Sequence, residues 1–473
     1  MELKRIGIFF VGIAVSTLLW GHSLAQERPR LVTQPDANNY GKLALKLKAN
    51  LVGHEYQVSA LAFSSTGEFL ATASNEEKAT RLWTTATGQL IAALDGITPL
   101  FSPDGHVVLT TNEKNVKLWD AATGRLKLTL TGHEGNISTT SFSPDGGKLA
   151  TGSEDGTVKL WDATTGRTSA TLTVWQVKKI PRYRIISRAL HVPVDVYVKF
   201  SPDGRTVLTN TYWEDSPAKL WDAETGRLKA ELGGHTTEVG YETKAAGVTE
   251  ASFSPDGKFI ATRSIDMVRL WEAATMKLIE EYKVLFPVTD FSADSKWFGT
   301  IRIGQDVGPL NLETLKLQPT SGVDTKFHNQ GAFSPDSRTF VMGSGYKDYH
   351  ATLIDVSTGR VRAKIPLVSK WGFDFVSDYQ KDVDRLSFHP SSKFLMGANH
   401  NSVRMWDVSS GGLVWETTAG RHPAVFSLDG KLLVTVGKDK KLVLLWEVVS
   451  LGGNQLMVWR SAGLFIAWTH QRN

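Results

Sequence analysis

One phrase, repeated nine times, constrains this chain more than any other feature. Each copy opens on a variant of Phe-Ser-Pro-Asp-Gly and closes on a variant of Leu-Trp-Asp-x-x-Thr-Gly. The clearest copy, FSPDGGKLATGSEDGTVKLWDATTG, runs from Phe142 to Gly166. The opening aromatics are Phe63, Phe101, Phe142, Phe200, Phe253, Phe291, Phe333, Phe388 and Phe426. Self-similarity at this period means one small unit packed against copies of itself, because a single unit cannot bury its own apolar surface.

Within a unit the pattern is that of strands. Lys148-Leu149-Ala150-Thr151-Gly152-Ser153 and Thr157-Val158-Lys159-Leu160-Trp161 alternate between two faces. Pro-Asp-Gly, Glu-Asp-Gly and Thr-Thr-Gly are turn chemistry: proline presets φ, aspartate caps, glycine accepts positive φ. Each unit is therefore an antiparallel sheet. Radial stacking buries both faces of such sheets, and closing the ring removes most exposed edges.

With Gly132-His133 ahead of its unit, and Ser153, Asp155 and Trp161 within it, the chain resembles the WD-repeat β-propellers. The resemblance covers roughly residues 43–450. It implies an all-β chain forming a single closed propeller of eight or nine four-stranded blades. It also implies that His133, Ser153, Asp155 and Trp161 form a hydrogen-bonded tetrad inside one blade, a structural staple rather than a catalytic triad. Unit three alone carries the whole set. Unit one has an extra residue before Trp83, unit two has Glu113 at the aspartate position, and His235 of unit five is displaced by nine extra residues. Units six and seven replace the tryptophan with Leu310 and Ile354, and unit six is the weakest copy. Leu43 to Leu47 resembles an outer blade strand, which in this family completes the last blade and joins the chain's two ends. Gln455 to Trp468 matches no repeat.

Strands named a to d run up and down in each blade. The a–b and c–d turns are thus expected on one side, with the b–c turns and d-to-a links on the other. Three of the eight Phe-to-Phe intervals are long, and their excess falls in the d-to-a links: Thr168–Lys199, Leu228–Ser252 and Val361–Ser387. Long loops on a rigid scaffold are where binding concentrates. The first link holds Lys178, Lys179, Arg182, Tyr183, Arg184 and Arg188, a cationic set suited to an anionic partner. The third holds Trp371, Phe373, Phe375 and Tyr379 among charged residues, which suits a protein or sugar contact. The alternative for each is a solvated extension or a loop folded onto the rim.

Residues 1–25 read as a secretory signal: Lys4 and Arg5, an apolar run from Ile6 to Trp20, and Ser23-Leu24-Ala25 before a cut at Gln26. Residues 26–42 then form a linker and 43–473 the propeller. No later segment is apolar enough to span a membrane. The chain has no cysteine, which excludes disulfides, thiol catalysis and cysteine-ligated zinc. A net charge of +5 is too mild for a nucleic-acid binder of this size.

No catalytic or phosphate-binding motif is present, and no metal-ligand spacing stands out among the twelve histidines. No catalytic residue, metal site or cofactor is therefore expected. The expected function is a monomeric, exported (periplasmic or extracellular) scaffold holding a protein partner. Two alternatives are a cell-wall or glycan binder and a propeller enzyme using the central channel, whether a hydrolase or a quinoprotein. The quinoprotein repeat resembles only Asp407 to Trp415 here, and the adjacent cysteines common in that class are impossible.

Overall fold

Nine four-stranded antiparallel sheets, one per sequence unit, account for nearly all of the described chain. The computed structural model describes residues 42–175, 195–211, 216–239, 242–283, 290–300, 308–320, 328–344, 350–367 and 385–451. There is no helix among them, and the nine sheets are the blades of one propeller ring. Blade three shows the plan: strand a is Ile137–Phe142, b is Lys148–Ser153, c is Thr157–Asp162 and d is Thr168–Thr173. In seven blades the c–d pairing slips by one residue at the tryptophan position, including at Ile354, where no tryptophan stands. Such a bulge increases local twist.

Closure falls at the expected place. Lys42–Leu51 pairs antiparallel with Val443–Leu451 and supplies the outer strand of blade nine. Unit six is not part of the closure. It builds a blade of its own with short strands, Asp290–Phe291, Trp297–Thr300, Gly308–Asn311 and Lys316–Leu317. The count is therefore nine.

The core is distributed rather than central. Nine clusters of buried apolar side chains lie between successive blades. One joins the last blade to the first, placing Val434, Val436, Val443 and Leu445 against Leu51, Val58, Leu70 and Trp83. Between blades six and seven Gly299 faces the Phe340 ring so closely that a Cβ would come within 2.7 Å of it.

Inside blade three a polar chain runs across the sheet. His133 Nδ1 lies 2.9 Å from the Asp155 carboxylate, and His133 Nε2 lies 2.8 Å from Thr151 Oγ1. Trp161 Nε1 donates to the same hydroxyl at 2.9 Å. A carboxylate only accepts, so Nδ1 carries the proton and Nε2 accepts from the threonine. The bridging hydroxyl is thus Thr151 and not Ser153, correcting the expected tetrad. Trp161 sits opposite Leu149, one diagonal step from Thr151. Ser153 is a further pleat away, and its hydroxyl accepts the Asp155 N–H instead. Burial alone would raise the Asp155 carboxyl. Hydrogen bonds from His133, Thr157 and the Glu134 backbone outweigh it and hold the group below the usual carboxylate range.

Other blades keep parts of this chain. In blade one Thr72 bridges His54 and Trp83, and Glu77, displaced by the extra residue, meets both His54 and Arg81. In blade five Thr262 bridges His235 and Trp271 although a hairpin, Thr236–Val239 and Glu242–Ala245, follows the histidine. A bond from Ala246 N–H to the His235 carbonyl closes the hairpin's base, so the insertion leaves the histidine in place. His235 Nδ1 is buried without a hydrogen-bond partner. Burial, with Arg269 nearby, pushes its pKa down to about 4, and burial also lowers His54 and His389.

The sign of the resulting pH dependence follows directly. Between about pH 6.5 and 4 the unfolded chain takes up a proton that folded His235 refuses, so stability falls as pH falls through that window. His235 alone should cost about 2 kcal/mol between pH 7.5 and 5. Denaturation midpoints at the two pH values check this, and His235→Gln should flatten the difference.

Candidate interaction surface

The two sides of the ring are defined by backbone hydrogen bonds. In all nine blades an N–H after strand c bonds a carbonyl of the a–b turn, as Ala121 to His106, Ala163 to Gly147 and Val408 to Lys393. On the other side the b–c turn bonds the link into the next blade, as Gly96 N–H to Lys78 O, Ile137 to Glu113, Val248 to Ser216 and Val58 to Lys440. The pairing of turns expected from strand direction is the pairing observed.

The repeated polar residues have work within the turns. In the a–b turn the serine hydroxyl donates to the aspartate and the aspartate accepts a later N–H, as Ser143, Asp145 and Gly147 do. In the c–d turn Asp162 accepts from the hydroxyl and N–H of Thr165. These bonds draw the carboxyls below their ordinary range. The carboxylates of the repeat thus serve the fold and do not gather into a site. Among the described residues no group of three or more His, Cys, Asp or Glu is arranged to hold a metal ion.

The roots of the three long connectors share one device. Lys219 Nζ donates to Val174 O at 2.9 Å, Arg269 Nη1 to Gly233 O at 2.6 Å and Arg404 Nη1 to Leu367 O at 2.7 Å. Each cation comes from strand c of the blade that follows the connector. Each is also aimed by a carboxylate of the neighbouring strand d: Lys219 by Glu231 at 3.6 Å, Arg269 by Glu281 at 2.9 Å and Arg404 by Glu416 at 2.8 Å. A charged donor on a carbonyl is a strong hydrogen bond, and the carboxylate fixes its direction. At short connectors the equivalent cation goes elsewhere: Lys117 to Asp95, Lys159 to Thr171. Sequence reasoning missed this set. Its visible trace is a basic residue two before the tryptophan with a glutamate twelve residues further on, which occurs in these three units and not in units one to three.

The candidate binding residues themselves fall outside the described residues. This holds for Lys178, Lys179, Arg182, Tyr183, Arg184 and Arg188, and for Trp371, Phe373, Phe375 and Tyr379. The signal and linker segments, residues 1–41, and the C-terminal residues 452–473 also lie outside.

A second feature is a groove of about 640 Å³ between the inner strands of blades four and five. Leu208 and Ala251 are its buried apolar residues, and Tyr197, Lys199, Glu250, Arg263 and Ile265 also line it. Asn210 fixes the wall by donating to the carbonyls of Val248 and Thr249. Strand Val196–Phe200 alternates buried and exposed residues, which turns Tyr197 and Lys199 outward.

Radial four-stranded blades closed by strands from both ends of the chain define a β-propeller, a fold consistent with a protein-interaction scaffold. The sequence model of the WD domain, G-beta repeat, matches residues 45–84, 124–162 and 375–407. The chain thus carries WD40 repeats, and its described residues form a β-propeller. It is similar to Protein tipD of Dictyostelium discoideum, 29% identical over 268 residues, covering 50% of this chain and 43% of that protein. It is also similar to WD repeat-containing protein SL1-17 of Schistosoma mansoni, 31% identical over 152 residues, covering 31% of this chain and 46% of that one. Pre-mRNA-processing factor 19 homolog 2 of Arabidopsis thaliana is 35% identical over 83 residues, 18% of this chain and 14% of that protein. The chain thus spans less than half the length of these relatives. Among solved structures, the computationally designed Ika8 protein aligns with a TM-score of 0.50 and 19% identity, over 85% of this chain and 99% of its own, a likeness of fold alone. No helix among the described residues is long and apolar enough to cross a membrane.

Proposed function

We propose that this protein is an exported, non-catalytic scaffold that holds a partner protein on the side of the ring carrying the b–c turns. The observation that carries the reading is the cation–carboxylate clamp at the root of each long connector. A rigid root lowers the entropy lost when a loop engages a partner. The scaffold would act as a monomer, and the cationic and aromatic sets of the first and third connectors would supply the contacts. Export rests on the N-terminal signal.

The test is capture from an envelope extract. Removing residues 174–192 and 369–384, singly and together, should lose the partner retained by the full chain. The triple variant Lys219→Gln, Arg269→Gln, Arg404→Gln should bind about tenfold more weakly while the ring still folds, because loop ordering then falls on the binding step. Unchanged capture by the truncated chains would place binding elsewhere.

A further inference from the structure

The link that leads from the closing strand into blade one carries a surface that the long connectors do not explain. Leu51 and Val58 are buried and anchor this link at either end. Between them Val52 and Tyr56 stand out of the protein. Val52 is 75% exposed, the most exposed large apolar side chain among the described residues, and Tyr56 is 48% exposed. The b–c turn of blade nine lies against the link. Val58 N–H donates to Lys440 O at 2.8 Å, and Lys441 Nζ stands 6.0 Å from the centre of the Tyr56 ring. The turn reads Gly437-Lys438-Asp439-Lys440-Lys441, and its three lysines are exposed. Asp439 is engaged in the turn itself, accepting the N–H groups of Lys441 and Leu442 at 3.1 and 2.8 Å. Arg421, opposite Val436 at the root of the turn, donates to the His400 carbonyl of blade eight's b–c turn at 3.4 Å. Among the described b–c turns, that of blade nine alone holds more lysines and arginines than carboxylates. Those of blades one, three and five carry an excess of acid, in Glu76-Glu77, Glu154-Asp155 and Asp266.

We propose that this patch holds an acidic segment of a partner protein, one that interleaves carboxylates with apolar side chains. Four cations, Arg421, Lys438, Lys440 and Lys441, stand against two carboxylates of the same turn and link, Asp439 and Glu55. In the neighbouring turn of blade one, Glu77 is taken up by Arg81 and by the N–H groups of Glu55 and Tyr56. Exposed Glu76 marks the acidic border of the patch, so carboxylates are drawn towards the blade-nine side. Each exposed ion pair is weak and screened by salt, so the charges choose the segment and speed its arrival more than they hold it. Val52 and Tyr56 supply apolar surface that an apolar side chain of the segment removes from water. A polyanion without such side chains, a nucleic acid for example, would leave Val52 uncovered. This docking rests on the reading of the ring as a holder of a partner protein and adds the charge of the segment held. Capture that depends on the connectors, with no binding of an acidic peptide, would refute the docking alone. Peptide binding with capture unaffected by the truncations would refute the connector contacts alone.

The experiment is fluorescence anisotropy with dye-labelled Gly-Glu-Leu-Glu-Glu-Leu-Gly, a form with glycine for each leucine and a form with lysine for each glutamate. The first peptide should saturate the full chain, the leucine-free form should bind about threefold more weakly, and the lysine form should not saturate it. The triple variant Lys438→Gln, Lys440→Gln, Lys441→Gln should bind the acidic peptide about tenfold more weakly. Val52→Ser should bind it about threefold more weakly. Asp439→Asn keeps an acceptor for the two turn N–H groups and removes a negative charge, so it should bind about threefold more tightly, a gain that a folding defect does not produce. The chain lacking residues 174–192 should bind the peptide as the full chain does, which separates this patch from the cationic connector. Absence of saturable acidic-peptide binding, saturation by the lysine form, tighter binding of an oligothymidylate than of the acidic peptide, or equal affinity in all turn variants would overturn the proposal.

Discussion

Deleting Lys42–Leu51 is expected to abolish cooperative folding of the ring. This strand pairs along its length with Val443–Leu451, and among the described residues no other strand stands free to replace it. Leu45 enters the cluster containing Trp415 and Trp446, and Leu51 enters the one joining blade nine to blade one. Each buried leucine contributes about 1.5–3 kcal/mol, and the lost ladder leaves Val443–Leu451 as an apolar open edge. The combined loss rivals the roughly 5–15 kcal/mol that stabilises a typical domain. Soluble yield should therefore fall sharply, and the thermal transition should broaden or vanish in calorimetry. Leu51→Asp, which forces a carboxylate into the same cluster, should cost at least about 3 kcal/mol. Lys46→Ala, on an exposed position of the same strand, should stay within about 0.5 kcal/mol. A deleted chain that melts like the intact one would show that the strand decorates the ring rather than closing it.

Much of this architecture is written in local chemistry. Turn residues, alternating strands and the repeated tryptophan each act over a few residues, so the blade plan and the two sides of the ring follow from the phrase itself. The closing strand was legible for the same reason, since Leu43 to Leu47 has the form of an outer strand without a unit of its own. Blade number was less legible. Unit six has lost its tryptophan and most of its strand length, and only the packing of Phe298 against blade five and of Gly299 against Phe340 shows it as a full member. The tetrad hydroxyl was misassigned because Thr151 and Ser153 share one face of one strand. Choosing between them needs the diagonal reach of the Trp161 indole. The groove was invisible because Tyr197 and Glu250 belong to different units and meet only through the angle between two blades. The connector clamps fall between these cases. Their spacing is regular, but a basic residue and a distant glutamate carry no meaning until strand c is seen beside the preceding connector.

Thr151→Val is expected to cost about 4 kcal/mol, because it strands two buried polar atoms at once. The threonine hydroxyl donates to His133 Nε2 and accepts from Trp161 Nε1, and all three side chains are buried. Valine keeps the shape and removes both bonds. Each orphaned group then loses its partner without regaining water, at about 1–3 kcal/mol apiece. Thr151→Ser keeps the hydroxyl and should cost about 1 kcal/mol, for one methyl group. In blade four Thr209 accepts from Trp221 Nε1, and Thr209→Val should cost at least about 1–3 kcal/mol for the stranded indole. Ser153→Ala loses only a turn contact at 3.2 Å and should cost no more than about 1 kcal/mol. Denaturant midpoints and amide-exchange protection of strand b would rank the four variants. A larger loss for Ser153→Ala than for Thr151→Val would return the bridging role to Ser153 and break the assigned direction of the chain from Trp161 to Asp155.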